Sequence, residues 1–289
     1  MEVTGTHMRE RTTDASLDDR KNKMSTVVTA INTREYLARI GADNIGSVAD
    51  TNTLRMLQRQ HLLNVPFENL DIHWGRPITL DTDKFYKKIV RENRGGFCYE
   101  LNGLFNELLR EIGFQTRLVS ARVGDGKGNF SEECDHLAIL VIIGEMHHLT
   151  DVGFGAFTSW PLQFIPDREQ EDEAGVFVIR PYRDDYFEVA KQEEDGWRSE
   201  YIFKPLGRDL SEFATRCEYQ QTSPESHFTK NKICSLMTVN GRKTLTDTKF
   251  IVTRNGEKTE TTIDSEEEFN QILLKEFGIS RYSSVQTRS

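Results

Sequence analysis

At Phe114 the spacing of the apolar residues changes, and that change sets the fold class. Four segments before it repeat at the helical i, i+3, i+4 step. "TREYLARIG", from Thr33, reads as a short helix with a threonine cap and a glycine stop. "DTNTLRMLQRQHLLNVP" places Leu54, Leu57, His61 and Leu62 on one side and ends before Pro66. "LDTDKFYKKIVRENR" starts from an Asp81 cap with Phe85 and Ile89 inward. The fourth begins near Cys98; Leu101, Leu104, Phe105, Leu108, Leu109 and Ile112 make its buried face and Gly113 its stop. After Phe114 the period is two. "FQTRLVSARV", "HLAILVII", "MHHLTDV", "GVFVIRPY", "DYFEVAKQE" and "WRSEYIFKP" read as strands between Gly-, Asp- and Glu-rich turns, the pattern of a small barrel or sandwich. From about Leu210 the pattern mixes. "LSEFATRCEYQQ" is helical, two Asn-Gly turns divide the next run into strands, and "SEEEFNQILLKEFG" is a helix with a Ser265/Glu268 capping box. Helices, then strands, then a mixed unit make an α+β chain.

Composition narrows the function classes. A net charge of -9 argues against a general nucleic-acid binder, which carries a basic face. No run approaches the roughly 18 apolar residues of a membrane span, and no secretory h-region is seen. Cys98, Cys134, Cys217 and Cys234 are scattered without a C-x-x-C pair, so neither a disulfide framework nor a zinc knuckle is expected and the reducing cytoplasm is the expected compartment. Residues 1–23 are polar and charge-rich and are expected to be disordered; "GTHM" at Gly5 to Met8 reads as a cloning scar and Met24 as a candidate natural start. Nothing in the sequence speaks to oligomeric state.

The chemistry concentrates in "NRGGFCYELNGLFNELLREIG", Asn93 to Gly113. Gly95 and Gly96 permit a tight turn before Cys98. The thiol then falls in the first helical turn, where unpaired N–H groups and the helix dipole favour a thiolate. The plainer alternative is a small core cysteine. A thiolate nucleophile needs a base and an orienting acid. "CDHLAILVIIGEMHHLTDVGFG" supplies both: with Gly144-Glu145 as the hairpin loop, Ile143 opposes Met146 and Ala138 opposes Asp151. His136 shares a face with Ala138, so His136 and Asp151 are diagonal neighbours, their Cα atoms about 7–8 Å apart. His147 and His148 lie near the turn and are weaker candidates. By residue type Cys98, Cys134, His136 and Asp151 could hold a metal, but Cys134 and His136 lack zinc-ligand spacing, and no metal is expected.

In these segments the chain resembles the arylamine N-acetyltransferase family. "RGGFCYELN" (Arg94 to Asn102) is similar to its nucleophile motif and "VPFENLDIH" (Val65 to His73) to its early pocket motif. "DHLAIL" and "DVGFG" resemble its histidine and aspartate segments, and the likeness runs from about Thr33 to Gly278. The resemblance implies a helical bundle over residues 24–117, a β-barrel over 118–209 and an α/β lid over 210–289, with a triad like that of papain and the transglutaminases. It implies Cys98 as acyl-accepting nucleophile, His136 as base and Asp151 as the group orienting His136. It implies Phe67, Phe154 and Phe228 as the lining of the amine pocket, and Tyr219, Thr222, Ser223 and Ser226 as the region meeting coenzyme A. Glu225 stands where some relatives have a small hydroxyl residue, and Lys230 and Lys232 are the nearby cations. The implied activity is a cytoplasmic, ping-pong acyltransferase of xenobiotic metabolism. Acetyl-CoA is the co-substrate, and arylamines, arylhydroxylamines or hydrazines are the acceptors. The rival readings are a cysteine hydrolase or transglutaminase-like enzyme with the same triad, and a non-catalytic binding protein of this fold.

Overall fold

The computed structural model describes Met1, residues 31–46 and residues 48–281. The expectations for the first 23 residues and for a start at Met24 lie outside the described residues. Helices α1 (Thr33–Arg39), α2 (Thr51–Asn64), α3 (Leu70–His73), α4 (Thr82–Tyr86) and α5 (Cys98–Ile112) come first, with a two-residue strand β1 (Phe67–Glu68) between α2 and α3. Beyond Tyr86, α4 runs on as a π-helical turn over Lys87–Arg91. Asp50 and Asp81 cap α2 and α4, their carboxylates taking N–H groups of the first turn. At α1 the cap is Asn32, which accepts from the Glu35 N–H; Thr33, expected as the cap, is the first helical residue. An asparagine carbonyl reaches that orphan N–H at least as well as a threonine hydroxyl, so the helix starts one residue earlier.

Helix α5 departs from a simple amphipathic pattern. Leu101, Leu104, Phe105, Leu108 and Leu109 are buried as expected, but so are Tyr99, Glu100, Asn102 and Asn106 on its other sides. The helix is enclosed by α4 on one side and by β2 (Gln115–Val123) and β3 (His136–Ile143) on the other. Polar groups buried there need partners, and those partners build the site described below.

After β2 and β3 come β4 (Met146–Thr150), β5 (Leu162–Gln163), β6 (Glu169–Asp172), β7 (Gly175–Pro181), β8 (Phe187–Glu193) and β9 (Gly196–Phe203). They form one antiparallel sheet in the order β5-β4-β3-β2-β9-β8-β7-β6. The sheet curls into a nearly closed barrel. Its two edge strands are stitched by the Gln170 side chain, which accepts from Gln163 N at 2.7 Å and donates to Gln163 O at 2.9 Å. Strand β3 alternates between two cores, as a period of two requires. Ala138 and Leu140 point into the barrel with Val189, Tyr201 and Phe203, while Leu137, Ile139 and Val141 pack on the helices. The β3–β4 register pairs Ile143 with Met146 and Ile139 with Thr150, as read from the Gly144-Glu145 loop.

The C-terminal part opens with a 3-10 turn at Leu210–Phe213, then α6 (Ala214–Thr222) and α7 (His227–Lys230). Strands β10 (Ile233–Thr238), β11 (Gly241–Thr246), β12 (Lys249–Arg254) and β13 (Glu257–Thr262) precede α8 (Glu266–Phe277). Asn255 and Gly256 both take positive φ at the second hairpin turn. Ser265 caps α8, while Glu268 reaches back to the Asp264 N–H. Phe269, Leu273 and Phe277 seal α8 onto Cys234 and Leu245. Strand β1 joins this sheet at its β10 edge, with Phe67 opposite Ser235. Phe67 also bridges to Gly96, so the loop before Cys98 is tied through β1 to the C-terminal sheet.

One core residue sets an acid limit on this fold. His61 lies fully buried on α2, its Nε2 3.0 Å from the Tyr36 hydroxyl and its ring edge-on to Phe105. Burial, aided by the Arg39 charge, pushes its pKa down to about 3. The unfolded chain takes up a proton near the ordinary value of about 6.5 that the folded chain refuses until about 3. Stability is therefore full above about 6.5 and falls as pH drops through that window, by at most about 1.4 kcal/mol per pH unit. Urea melts at pH 7, 5 and 4 are expected to show a shallower acid loss for His61→Gln than for the wild type. Parallel losses would remove His61 as the cause.

Candidate active site

The backbone before Cys98 is held from both sides. A Cβ on Gly95 would lie 2.1 Å from the Pro66 carbonyl, so only glycine fits where this loop passes the α2–β1 junction. Arg39 donates to the carbonyls of Ile89 (2.9 Å), Asn64 (2.6 Å) and Arg94 (3.1 Å), gathering three chain segments around the loop. Beneath it lies a buried ionic cluster. Arg94 bonds Glu68 (2.6 Å) and Asp71 (3.0 Å), and Lys88 bonds Asp71 (2.8 Å) and both oxygens of Glu100. Glu100 in turn accepts from the Phe97 N–H at 2.9 Å, capping the first turn of α5. Removing one member would leave a buried charge unpaired, so the cluster fixes the loop even if its net contribution to stability is small.

His136 opens β3 and Asp151 lies one residue beyond β4; His136 Nε2 and Asp151 Oδ2 are 2.6 Å apart, both residues buried. The diagonal pairing expected from the hairpin is thus a direct hydrogen bond. Asp151 has three further donors. Oδ1 accepts from Asn102 Nδ2 (2.8 Å) and from Gly153 N (2.9 Å), and Oδ2 from the Tyr201 hydroxyl (3.4 Å). Asn102 also donates to Leu137 O and accepts from Val152 N, so it locks α5 to both strands that carry the pair. Sequence reasoning missed Asn102 and Tyr201. Asn102 was within reach, since it sits four residues, one helical turn, after Cys98; Tyr201 has no local signal. A Cβ on Gly153 would meet Cys98 Cα at 2.9 Å, which brings the aspartate loop against the cysteine.

Cys98 and His136 line one cavity of about 380 Å³, together with Phe67, Phe154 and Phe228. With Nε2 on Asp151, Nδ1 is the ring nitrogen left for the thiol. The Phe154 ring stands edge-on to His136 at 5.0 Å, and Phe228 packs on Phe97 at 4.7 Å. Arg242, which sequence reasoning also passed over, donates to Gly155 O at 2.7 Å and steadies the loop bearing Phe154. Tyr219 and Ser226 line the cavity, but Ser226 is buried, its hydroxyl against Gln220 Oε1 at 2.7 Å. Thr222 and Ser223 are not in the lining; Thr222 is exposed and donates to Glu218 O. Lys232 pairs with Asp247 and Glu266, and Lys230 donates to Glu225 O.

The electrostatics at Cys98 correct one expectation. Burial pushes the thiol well up, and the charges of Cys217, Asp135 and Asp151 push the same way; the Tyr99 N–H opposes them. The helix start alone does not make a thiolate here. A buried thiolate needs a cation made in place; a proton moved to His136 would make one, 2.6 Å from the Asp151 carboxylate. Among the described residues no group of three or more His, Cys, Asp and Glu could hold a metal ion, and no helix is long and apolar enough to cross a membrane.

Comparison with known proteins gives a consistent picture. A family model described as N-acetyltransferase matches residues 50–284. A chicken protein, arylamine N-acetyltransferase, pineal gland isozyme NAT-10, is 32% identical over 86% of this chain and 94% of its own. Human arylamine N-acetyltransferase 1 is 31% identical over 85% of this chain and 93% of its own. Among solved structures, the arylamine N-acetyltransferase from Salmonella typhimurium superposes with a TM-score of 0.82 at 26% identity, over 88% of this chain and 93% of that one. The Mycobacterium marinum arylamine N-acetyltransferase in complex with CoA gives 0.78 at 25% identity, over 86% and 93%.

Proposed function

The chain belongs to the arylamine N-acetyltransferase family, and on that premise we propose that it moves an acetyl group from acetyl-CoA to an arylamine through Cys98, His136 and Asp151. The observation that carries this assignment is the 2.6 Å His136–Asp151 bond at the wall of the cavity that also holds Cys98.

In the first half-reaction Cys98 passes its proton to His136 Nδ1 and Sγ attacks the thioester carbonyl. The bond from that carbonyl to the coenzyme sulfur breaks, the proton goes to the departing thiol, and an acetyl-cysteine remains. In the second, the amine nitrogen attacks the acetyl carbonyl, His136 takes its proton, and the Cys98 thiolate leaves. Asp151 holds the imidazole with Nδ1 facing the cavity and stabilises its charged form. The N–H groups at the start of α5 are the donors available to the oxyanion. Phe67, Phe154 and Phe228 give the aryl ring an apolar slot. One cavity serves both substrates, so the order is ping-pong. Acceptors extend to arylhydroxylamines and hydrazines, whose nucleophilic nitrogens present the same geometry.

Mass spectrometry of the protein mixed with acetyl-CoA is expected to show one added acetyl group, on Cys98, discharged by an arylamine with formation of the amide. Rapid discharge by water alone would favour a hydrolase, and no acetylation would leave a binding protein.

A further inference from the structure

Beside the triad, the cavity wall carries an ion pair that the mechanism above does not use. Asp135 immediately precedes His136 and lines the cavity with Cys98. Its Oδ1 accepts from Arg216 Nε at 2.6 Å and from Gln220 Nε2, both on α6. Gln220 is itself tied down, its Oε1 against the Ser226 hydroxyl, and Ser226 accepts from the N–H of Phe228 at 3.2 Å. The Asp135 carbonyl takes a hydrogen bond from the Tyr99 hydroxyl. With Oδ1 held by two α6 side chains and the backbone carbonyl by Tyr99, the charge of Asp135 is kept at a set place in the wall.

We propose that Arg216 is a positioning residue for the acetylation step: held on Asp135, its guanidinium offsets part of that carboxylate's charge in the cavity that Cys98 lines, and so lets the nucleophile ionise. The inference rests on the reading of Cys98 and His136 given above. A bare carboxylate at that point opposes a second negative charge in the same low-dielectric cavity; the Asp135 charge reaches Cys98, where it acts against the thiolate. The other titratable and charged groups facing Cys98 are His136, Asp151 after β4, Tyr99 beside it on α5, Cys217 on α6, and Glu225 and His227 at the start of α7. Among the described residues lining the cavity, Arg216 is the permanent cation, and its placement on Asp135 rather than on a surface carboxylate is what the pair contributes.

The test is the rate of Cys98 alkylation by iodoacetamide against pH, with melting temperatures as a fold check. The two charge-removing variants are expected to act in opposite directions. Arg216→Gln leaves Asp135 with Gln220 but without its cation and moves the acid limb of the profile up by about one pH unit, slowing alkylation about tenfold at a fixed pH on that limb. Asp135→Asn keeps an acceptor for Arg216 and Gln220, leaves the guanidinium bare and moves the limb down. The double variant returns toward the wild type, as does Arg216→Lys. A pair with only a structural role would lower melting temperature and leave the limb in place. Superimposable profiles for wild type and Arg216→Gln, or single variants that both move up, would overturn the proposal. Acetylation of wild-type Cys98 is read in parallel by mass. Its absence would reject the enzyme assignment, whereas normal wild-type acetylation with an unmoved Arg216→Gln profile would reject this inference alone.

Discussion

Cys98→Ser is expected to fold, to melt close to the wild type and to transfer no acetyl group, with kcat/KM lower by at least about 10⁴-fold. The reasoning runs from burial to chemistry. Cys98 is only 4% exposed, so exchanging sulfur for oxygen changes a small core contact and costs about 1 kcal/mol. A hydroxyl is a far weaker acid than a thiol, and the environment that already pushes the thiol up would push it further. His136 cannot then hold its proton in a populated ion pair. Cys98→Ala should behave the same way, since it removes the nucleophile outright. Alkylation of the wild type gives the complementary readout. Burial raises the thiols of Cys217, to about 12, and of Cys134 and Cys234 as well. Selective labelling of Cys98 would therefore report the proton transfer to His136. Near-normal acetyl transfer by either variant would remove Cys98 from the mechanism.

Asp151→Asn is expected to lower acetylation at neutral pH by about 10⁴-fold, the loss found when the acid of such a triad is made neutral. Each oxygen of Asp151 accepts two hydrogen bonds, and an asparagine can present an acceptor on one side only. If its NH₂ faces His136, it donates to Nε2 and holds the ring with the proton on Nδ1, where it cannot accept one from Cys98. If the NH₂ faces the other way, it meets the N–H groups of Asn102 and Gly153, and two buried donors lose their partner. The charge argument has two signs. Losing a negative charge eases ionisation of an isolated thiol, yet it also removes the stabilisation of the imidazolium 2.6 Å away. The closer interaction dominates. Alkylation at neutral pH should therefore collapse and recover in a single step at alkaline pH, where the thiol ionises unaided. An aspartate with a purely structural role would lower the melting temperature and leave that profile unchanged. Identical profiles on two folded proteins would reduce the triad to a dyad.

How much was legible in the sequence differs sharply between backbone and environment. The change of period at Phe114 separated helices from strands, and the Gly144-Glu145 turn set the β3–β4 register through Ile139 opposite Thr150. Both are local properties: backbone geometry and side-chain alternation act over a few residues, so a pattern within one segment carries them. The order of Cys98, His136 and Asp151 and the nearness of the last two were readable for the same reason. The start of α1 was misread by one residue because Asn32 and Thr33 both have side chains able to cap, and only the bond formed decides between them.

What surrounds those groups was decided by tertiary structure alone. The expected helix-start thiolate turned on local N–H groups, but the sign of the effect on Cys98 comes from desolvation and from charges on other segments. Asp135 meets Arg216 and Gln220 from α6, and Asp151 meets Tyr201 from β9 and Asn102 from α5. Ser226, a hydroxyl in a loop by sequence, is buried and engaged by Gln220, whereas Thr222 four residues earlier faces solvent. None of these pairings has a periodic signature, because each depends on where two distant segments stop against each other. A periodic pattern records what a short stretch of backbone prefers. A pKa or a hydrogen-bond partner records which remote groups exclude water around a side chain, and that is set only when the helices, the barrel and the C-terminal sheet have packed.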